Sequence, residues 1–126
     1  MNETDKRVVY DLEERTYQFA KDIAFFCKKL PRIFPNPEYM GQLIRASSSV
    51  GANYIEANEA LSRKDFFMRI KICRKEAKES AYWLRIIIDT NEDGFRKEGS
   101  FLKEEAVELK KIFSAILGKS NVSVIR

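Results

Sequence analysis

The sequence predicts an all-α protein, an up-down-up-down antiparallel four-helix bundle. Four segments repeat apolar residues at intervals of three and four, short segments with Pro, Gly or Asn separate them, and no segment shows the alternation of a strand. Within the tail, residues 119–126, the stretch 122–126 has strand-forming residues without a partner strand, and we expect it to be disordered or docked. We expect one domain, residues 1–126, with helices over residues 11–30, 37–60, 63–90 and 101–117.

The first two helices have sequence signals at their ends. Asp11 and Glu14 form a capping box that predicts the start of the first helix, and Pro31 predicts its end. Asn36 is expected to cap the second helix, with Pro37 as its first residue. The predicted core positions are Leu12, Phe19, Ile23, Phe26 and Leu30, followed by Met40, Leu43, Ser47, Val50, Tyr54, Ala57 and Leu61.

The third helix has the most regular apolar pattern of the four. Ser62 and Asp65 form a second capping box that predicts its start. Ser100 is expected to cap the fourth helix after a loop that contains two glycines, and Gly118 is expected to end it. The predicted core positions are Phe66, Ile70, Cys73, Ala77, Ser80, Leu84 and Ile87, followed by Leu102, Ala106, Leu109, Phe113 and Ile116.

The segment RASSSVGANYIEA, residues 45–57, combines three serines and a glycine with an unbroken apolar repeat. It does not fit a phosphate-binding loop, which has its glycines in a strand-to-helix turn followed by Gly-Lys-Ser or Gly-Lys-Thr. Serine and glycine each weaken a helix by roughly 0.5–1 kcal/mol relative to alanine. We therefore expect a helix that another helix approaches closely at its small residues, Ser47, Ser48, Ser49, Gly51 and Ala52.

The composition argues against most classes of enzyme. The chain has no histidine, which removes the commonest general base and the Glu-x-x-His di-iron site of four-helix bundles. Its two cysteines, Cys27 and Cys73, fall in apolar stripes, as expected of reduced core thiols in a cytoplasmic protein. No segment is apolar enough to cross a membrane. We expect no catalytic residues and no cofactor.

Two stretches in the second and third helices carry a family pattern. The first stretch, RASSSVGANYIEANEALSRKDF, covers residues 45–66, and the second, KICRKEAKESAYWL, covers residues 71–84. They resemble the four-helix-bundle family encoded by intervening sequences in 23S ribosomal RNA genes, also called S23-like proteins. The commoner branch of that family has proline at the position of Gly51 and glycine at that of Ala57. The family's serine, Asn-x-x-Glu and Ser-Arg/Lys-x-Asp/Glu-Phe elements match Ser49, Asn53, Glu56, Ser62, Lys64, Asp65 and Phe66.

The resemblance implies an up-and-down bundle that assembles as a ring-like homopentamer. The sequence is also similar to the accessory variability protein of diversity-generating retroelements, a basic pentamer that binds nucleic acid and a reverse transcriptase. The cellular role of the intervening-sequence members themselves is largely unestablished. The resemblance therefore implies a fold and an assembly more firmly than an activity.

The third helix has a basic face when its residues are placed at 100° intervals. Residues 63–85 contain eight Lys or Arg and three Asp or Glu, in a chain with a net charge of +4. This face either keeps the protein soluble or binds the backbone of RNA or DNA without base-specific contacts. Its members, which we call the basic row, are Lys64, Lys71, Lys75, Lys78 and Arg85.

A second face of the third helix carries apolar residues next to glutamates. Ile72, Trp83 and Ile86 lie on this face. They either widen the core contact or form the interface between subunits of an oligomer, where an aromatic residue is a suitable anchor.

A group of polar residues lies near the predicted interior of the second and third helices. Arg45, Asn53, Glu56 and Glu79 predict a hydrogen-bonded network that fixes the register of the helices. Glutamates so placed are alternatively ligands for Mg²⁺ or Mn²⁺, although we expect no metal.

These features favour three functions from different classes. The first is a non-enzymatic oligomeric scaffold that binds RNA or DNA through the basic row. The second is a protein–protein adaptor that recruits a polymerase or another enzyme and has no direct role with nucleic acid. The third is a metal-dependent enzyme built on the glutamate cluster.

Overall fold

A computed structural model describes the backbone of residues 3–125 and the side chains of residues 11–119. This part of the chain forms the predicted four-helix bundle and contains no strand. Short connections make successive helices antiparallel, and α1 and α4 close the bundle through a looser contact than the others. None of these helices is long and apolar enough to span a membrane. The helices are α1 (Glu3–Lys29), α2 (Asn36–Asn58), α3 (Arg63–Thr90) and α4 (Arg96–Ile125), with a 3₁₀ turn (Asp93–Phe95) before α4.

The core contains nearly every position that the apolar repeats predict. Four positions differ from the prediction: Met40, Phe66 and Ile116 are only partly buried against the core, and Leu61 is exposed. Leu61 is 99% exposed, because α2 ends at Asn58 and the side chain no longer faces the bundle. Ile116 is only half-buried, and Leu117 is the buried residue of that turn. The largest fully buried side chains come from all four helices and include Phe26, Phe113, Ile23, Leu43, Ile70 and Leu84.

Both cysteines are free, buried thiols, as predicted. Burial raises the pKa of Cys27 to about 11 and that of Cys73 to about 12. The Cys73 thiol donates a hydrogen bond to the Val50 carbonyl at 3.4 Å. Both side chains are therefore protonated core residues at neutral pH and poor nucleophiles.

Residues 45–57 are helical throughout, as predicted, and lie in the middle of α2. The close approach of another helix occurs at Gly51, where a Cβ atom would lie 3.0 Å from Thr16 Oγ1 of α1. Ser47 is also buried, but Ser48 and Ala52 are exposed. The small residues therefore serve helix packing along one side of α2 only.

Of the two predicted capping boxes, the one at the start of α3 is found with one of its two hydrogen bonds. Ser62 caps α3, since its Oγ accepts a hydrogen bond from the Asp65 backbone N–H at 3.1 Å. The other prediction is wrong, because α1 begins at Glu3 and Asp11 lies inside it. No Gly or Pro occurs among the first thirty residues, so nothing stops the helix from extending toward the N-terminus.

Asn36 does not cap α2, because it is the first residue of that helix and its side chain turns inward. Its Nδ2 donates to the Pro31 carbonyl at 2.9 Å and to Asn91 Oδ1 at 2.8 Å. Asn91 Nδ2 returns a hydrogen bond to Asn36 Oδ1 at 3.0 Å. This reciprocal amide pair holds the α1–α2 turn against the C-terminal end of α3.

Helix α4 is longer at both ends than predicted. It begins at Arg96, so Ser100 lies inside the helix and is not its cap. It also continues past Gly118 to Ile125, which makes most of the predicted tail helical, while Arg126 is outside the described residues. Glycine permits a helix to end but does not require it to end. No proline follows Gly118 to prevent the helix from continuing.

Candidate nucleic-acid interface

The basic row runs along the outward side of α3. Most of its members recur every seven residues, about two helical turns, and Lys64 to Arg85 spans about 32 Å. All five side chains are exposed. Among the described residues, Lys75 is the one member of the row within ion-pair distance of a carboxylate, with its Nζ 4.0 Å from Glu76 Oε1. The other four charges are presented to solvent without an ion pair.

Two lysines of α4 that were not predicted extend this basic surface. One flank of α4 faces α3, because Arg96 pairs with Asp89 at 3.6 Å and a Cβ on Gly99 would lie 2.7 Å from an α3 side chain. Lys103 and Lys110 follow Arg96 by seven and fourteen residues and so lie on the same flank, half-buried. Their spacing was a visible signal, but only the packing of α4 on α3 places them beside the basic row.

The carboxylates of α4 that form interhelical ion pairs face the other way, toward α1. Arg15 donates two hydrogen bonds of 2.8 Å to the Glu105 carboxylate, which raises the pKa of the guanidinium. Lys29 Nζ contacts both oxygens of Glu98, at 2.9 and 2.8 Å. The ion-paired carboxylates of α4 therefore lie on its α1 side, away from the basic row on α3.

The side chains on the apolar face of α3 are partly buried against the bundle and partly exposed. Trp83 packs against the core and stacks on Tyr39 of α2, with ring centroids 6.1 Å apart and planes at 28°. Tyr82 contacts Trp83 edge to face at 5.1 Å. Ile72 and Ile86 are half-buried. Trp83 thus widens the contact between α2 and α3, and the role of this face as a subunit interface stays a prediction.

The hydrogen bonds around Asn53 differ from the predicted network. Asn53 Oδ1 accepts from Arg69 Nη1 at 2.9 Å, and its Nδ2 donates to the Ser49 carbonyl at 2.9 Å. The Arg45 guanidinium instead lies over Gly41, where a Cβ would be 3.5 Å from Nη1. The partner that joins α2 to α3 is therefore Arg69, which the sequence did not single out.

The glutamates of α2 and α3 are dispersed and do not converge on one point. Glu56 and Glu79 are exposed, and their carboxylates make no hydrogen bond to another described residue. Burial raises the pKa of Glu76, and Glu79 adds to this effect while Lys75 opposes it. Within residues 11–119, no three His, Cys, Asp or Glu side chains are grouped so that they could hold a metal ion.

The sequence match to a known family covers most of the bundle. A profile of the 23S rRNA-intervening sequence protein family matches residues 10–115. The chain belongs to this family. The resemblance that the motifs of α2 and α3 indicate is thereby confirmed, and the match to the 23S rRNA-intervening sequence proteins extends over most of α1 and most of α4.

A solved structure has the same fold. It is a Bacteroides thetaiotaomicron protein, determined at 1.70 Å and described as a protein with unknown function from the S23 ribosomal protein family. The two chains are 29% identical and superpose with a TM-score of 0.72, over 82% of this chain and 95% of the other. No curated protein sequence matches the chain. The similarity of this 23S rRNA-intervening sequence protein to the Bacteroides protein thus concerns fold and family.

Proposed function

We propose that this protein is a non-enzymatic scaffold that binds the backbone of RNA or DNA through the basic row, without sequence preference and without a cofactor. One observation carries this proposal: Lys64, Lys71, Lys78 and Arg85 are exposed along one side of α3 and have no ion-pair partner among the described residues. Cations that are not already paired bind phosphates without first breaking an internal ion pair.

The shape of the row favours contacts to phosphates over the reading of bases. Flexible side chains spaced by two helical turns form a linear array of charge about 32 Å long. Lys103 and Lys110 widen this array on the α4 side. Neutralisation of phosphates by such cations releases counterions and contributes affinity that does not depend on sequence.

We further propose that the protein acts as a homo-oligomer with Ile72, Trp83 and Ile86 in the subunit interface. All three are partly exposed on one face of α3, where burial against another copy would remove apolar surface from water. A pentamer is what the family resemblance implies. Five copies would bring five basic rows onto one assembly and strengthen binding through multivalency.

Nucleic-acid binding is tested with fluorescein-labelled RNA of scrambled sequence, in single-stranded and duplex form, and with the corresponding DNA. We expect affinities that are independent of sequence and that fall by about tenfold or more between 50 and 200 mM salt, because several phosphates are neutralised. A complex that is insensitive to salt, or an absence of binding at low salt, would contradict the proposal.

Assembly is tested by sedimentation equilibrium of the wild type and of two double variants. We expect the wild-type mass to be a multiple of 14.7 kDa, and Ile72→Glu with Ile86→Glu to reduce it to the mass of one chain. Ile44→Glu with Ile55→Glu is the matched control, because these exposed isoleucines lie on α2. A monomeric wild type, or a control that dissociates equally, would show that the apolar face of α3 is not the interface.

A second candidate function is an adaptor that recruits a polymerase or another enzyme. Leu61 is 99% exposed and Met68 53% exposed beside a cavity of about 590 Å³ at the α2–α3 turn, which favours a protein partner. The predicted relation to the accessory variability protein of diversity-generating retroelements would favour either function. Pull-down from a nuclease-treated lysate separates them, because a partner bridged by nucleic acid is lost and a direct partner is retained.

A further inference from the structure

Of the neighbouring helix pairs in the described part of the bundle, α1 and α4 have the least contact with each other. Two cavities of about 640 and 270 Å³ lie between these helices, and both are lined by Phe101 and Leu102. A third cavity, of about 710 Å³, lies on the other side of Phe101. Phe101 therefore lines all three cavities, and we call the surface that they form the α1–α4 groove.

Two aromatic side chains are exposed in this groove. Phe101 is 68% exposed on α4 and Phe25 is 49% exposed on α1. The Lys28 ammonium lies 5.4 Å from the centre of the Phe25 ring, so part of this aromatic surface already contacts a cation. Large apolar side chains in a concave surface gain free energy when a partner covers them, since that removes their surface from water.

The rim of the groove is acidic. Two of its glutamates, Glu98 and Glu105, pair with Lys29 and Arg15. Four further carboxylates have no cationic partner among the described residues, whereas two cations without an ion pair, Lys97 and Lys28, lie at this groove. The unpaired carboxylates are Asp11, Glu14, Asp22 and Glu104.

We propose that the α1–α4 groove binds a Lys- and Arg-rich amphipathic helix of a partner protein. The unpaired carboxylates would contact the basic side of that helix, and Phe101 and Phe25 would contact its apolar side. Asp11 and Phe25 are fourteen residues apart on α1, or about 21 Å, which is the length of about four helical turns. The occupant is therefore a helical segment of roughly fourteen residues.

Charge separates this site from the one proposed for nucleic acid. Phosphates are repelled by the carboxylates of the groove and attracted by the basic row on α3. The groove lies between α1 and α4, whereas the basic row lies on α3. The protein would thus bind nucleic acid on one side and a basic helix on another.

The test uses a fluorescein-labelled, fourteen-residue, helix-forming peptide of Leu and Lys, measured by anisotropy against the full-length chain. Phe101→Ala is expected to weaken binding about tenfold, because an aromatic contact is lost. Glu14→Lys with Asp22→Lys is expected to weaken it by a similar factor or more. Glu56→Lys with Glu79→Lys changes the net charge equally at exposed positions of α2 and α3, and we expect a change below about threefold.

Several outcomes would overturn this proposal. Equal weakening in the control variant would mean that the peptide senses only net charge, and undiminished binding of a peptide with Glu in place of Lys would exclude charge recognition. A drop in the mass of the assembly with Phe101→Ala would make the groove a contact between copies of this chain. The binding of labelled RNA is measured with the wild type and the same variants. If the wild type does not bind RNA, that result counts against the basic row and not against the groove.

Discussion

Replacement of Lys71, Lys78 and Arg85 by Glu is expected to lower the affinity for RNA by about a hundredfold or more at low salt. Each substitution removes a phosphate contact and adds a repulsive charge, so three of them together cost about 3 kcal/mol or more. The three side chains are exposed and have no ion-pair partner among the described residues, so the helical signal should not change. Anisotropy and circular dichroism on the same preparations measure both quantities.

A matched variant distinguishes the basic row from the net charge of the protein. Lys21→Glu, Arg32→Glu and Lys97→Glu reverse three exposed cations that lie outside α3. The net charge changes by the same amount, but we expect the affinity for RNA to fall only a few-fold, through the general electrostatic field. If both triple variants lose affinity equally, the row has no special role, and its charges serve only solubility.

Replacement of Gly99 by Val is expected to destabilise the fold by about 2–3 kcal/mol, because the added atoms overpack the core. A Cβ at this position would lie 2.7 Å from Ile88 Cγ1 and 3.2 Å from Phe26 Cζ. Either α4 must move away from α3 or a buried side chain must leave its position. Urea denaturation monitored by circular dichroism gives the free energy of unfolding directly.

Two further variants identify the cause of that destabilisation. Gly118→Ala, at a helical glycine with nothing within 4 Å of the added Cβ, is expected to stabilise the protein by up to about 1 kcal/mol. Ile88→Ala in the Gly99→Val background should recover part of the lost stability, since it makes room for the new side chain. A Gly99→Val protein as stable as the wild type would contradict the close packing of α4 on α3.

These two glycines illustrate which parts of the fold the sequence could predict. The apolar repeats place almost every core residue, because burial follows the helical period. The end of a helix depends on tertiary contacts, which the local sequence does not specify. Gly99 reads as part of a loop, yet it is a packing residue against Ile88 of α3, and Gly118 reads as a stop, yet the helix continues to Ile125. Glycine at a close helix contact and glycine at a helix end look the same in a sequence.

The candidate site also has a part that the sequence could predict and a part that depends on how the helices pack. The basic row was predictable because its members belong to one helix and recur with the helical period. Lys103 and Lys110 belong to α4, and their place beside the row depends on how α4 packs on α3. The Asn53–Arg69 hydrogen bond likewise depends on the antiparallel register of α2 and α3, which no local pattern specifies.

The central claim, that the basic row of α3 contacts phosphates, is tested most directly by the dependence of RNA affinity on salt. The slope of the logarithm of the binding constant against the logarithm of salt concentration counts the phosphates neutralised, at about 0.7 per contact for a single strand. We predict that the variant with Glu at residues 71, 78 and 85 has a slope about two units shallower than the wild type for each basic row that contacts the RNA, because three phosphate contacts are lost. The variant with Glu at residues 21, 32 and 97 should keep the wild-type slope. Equal slopes in all three proteins would contradict the claim.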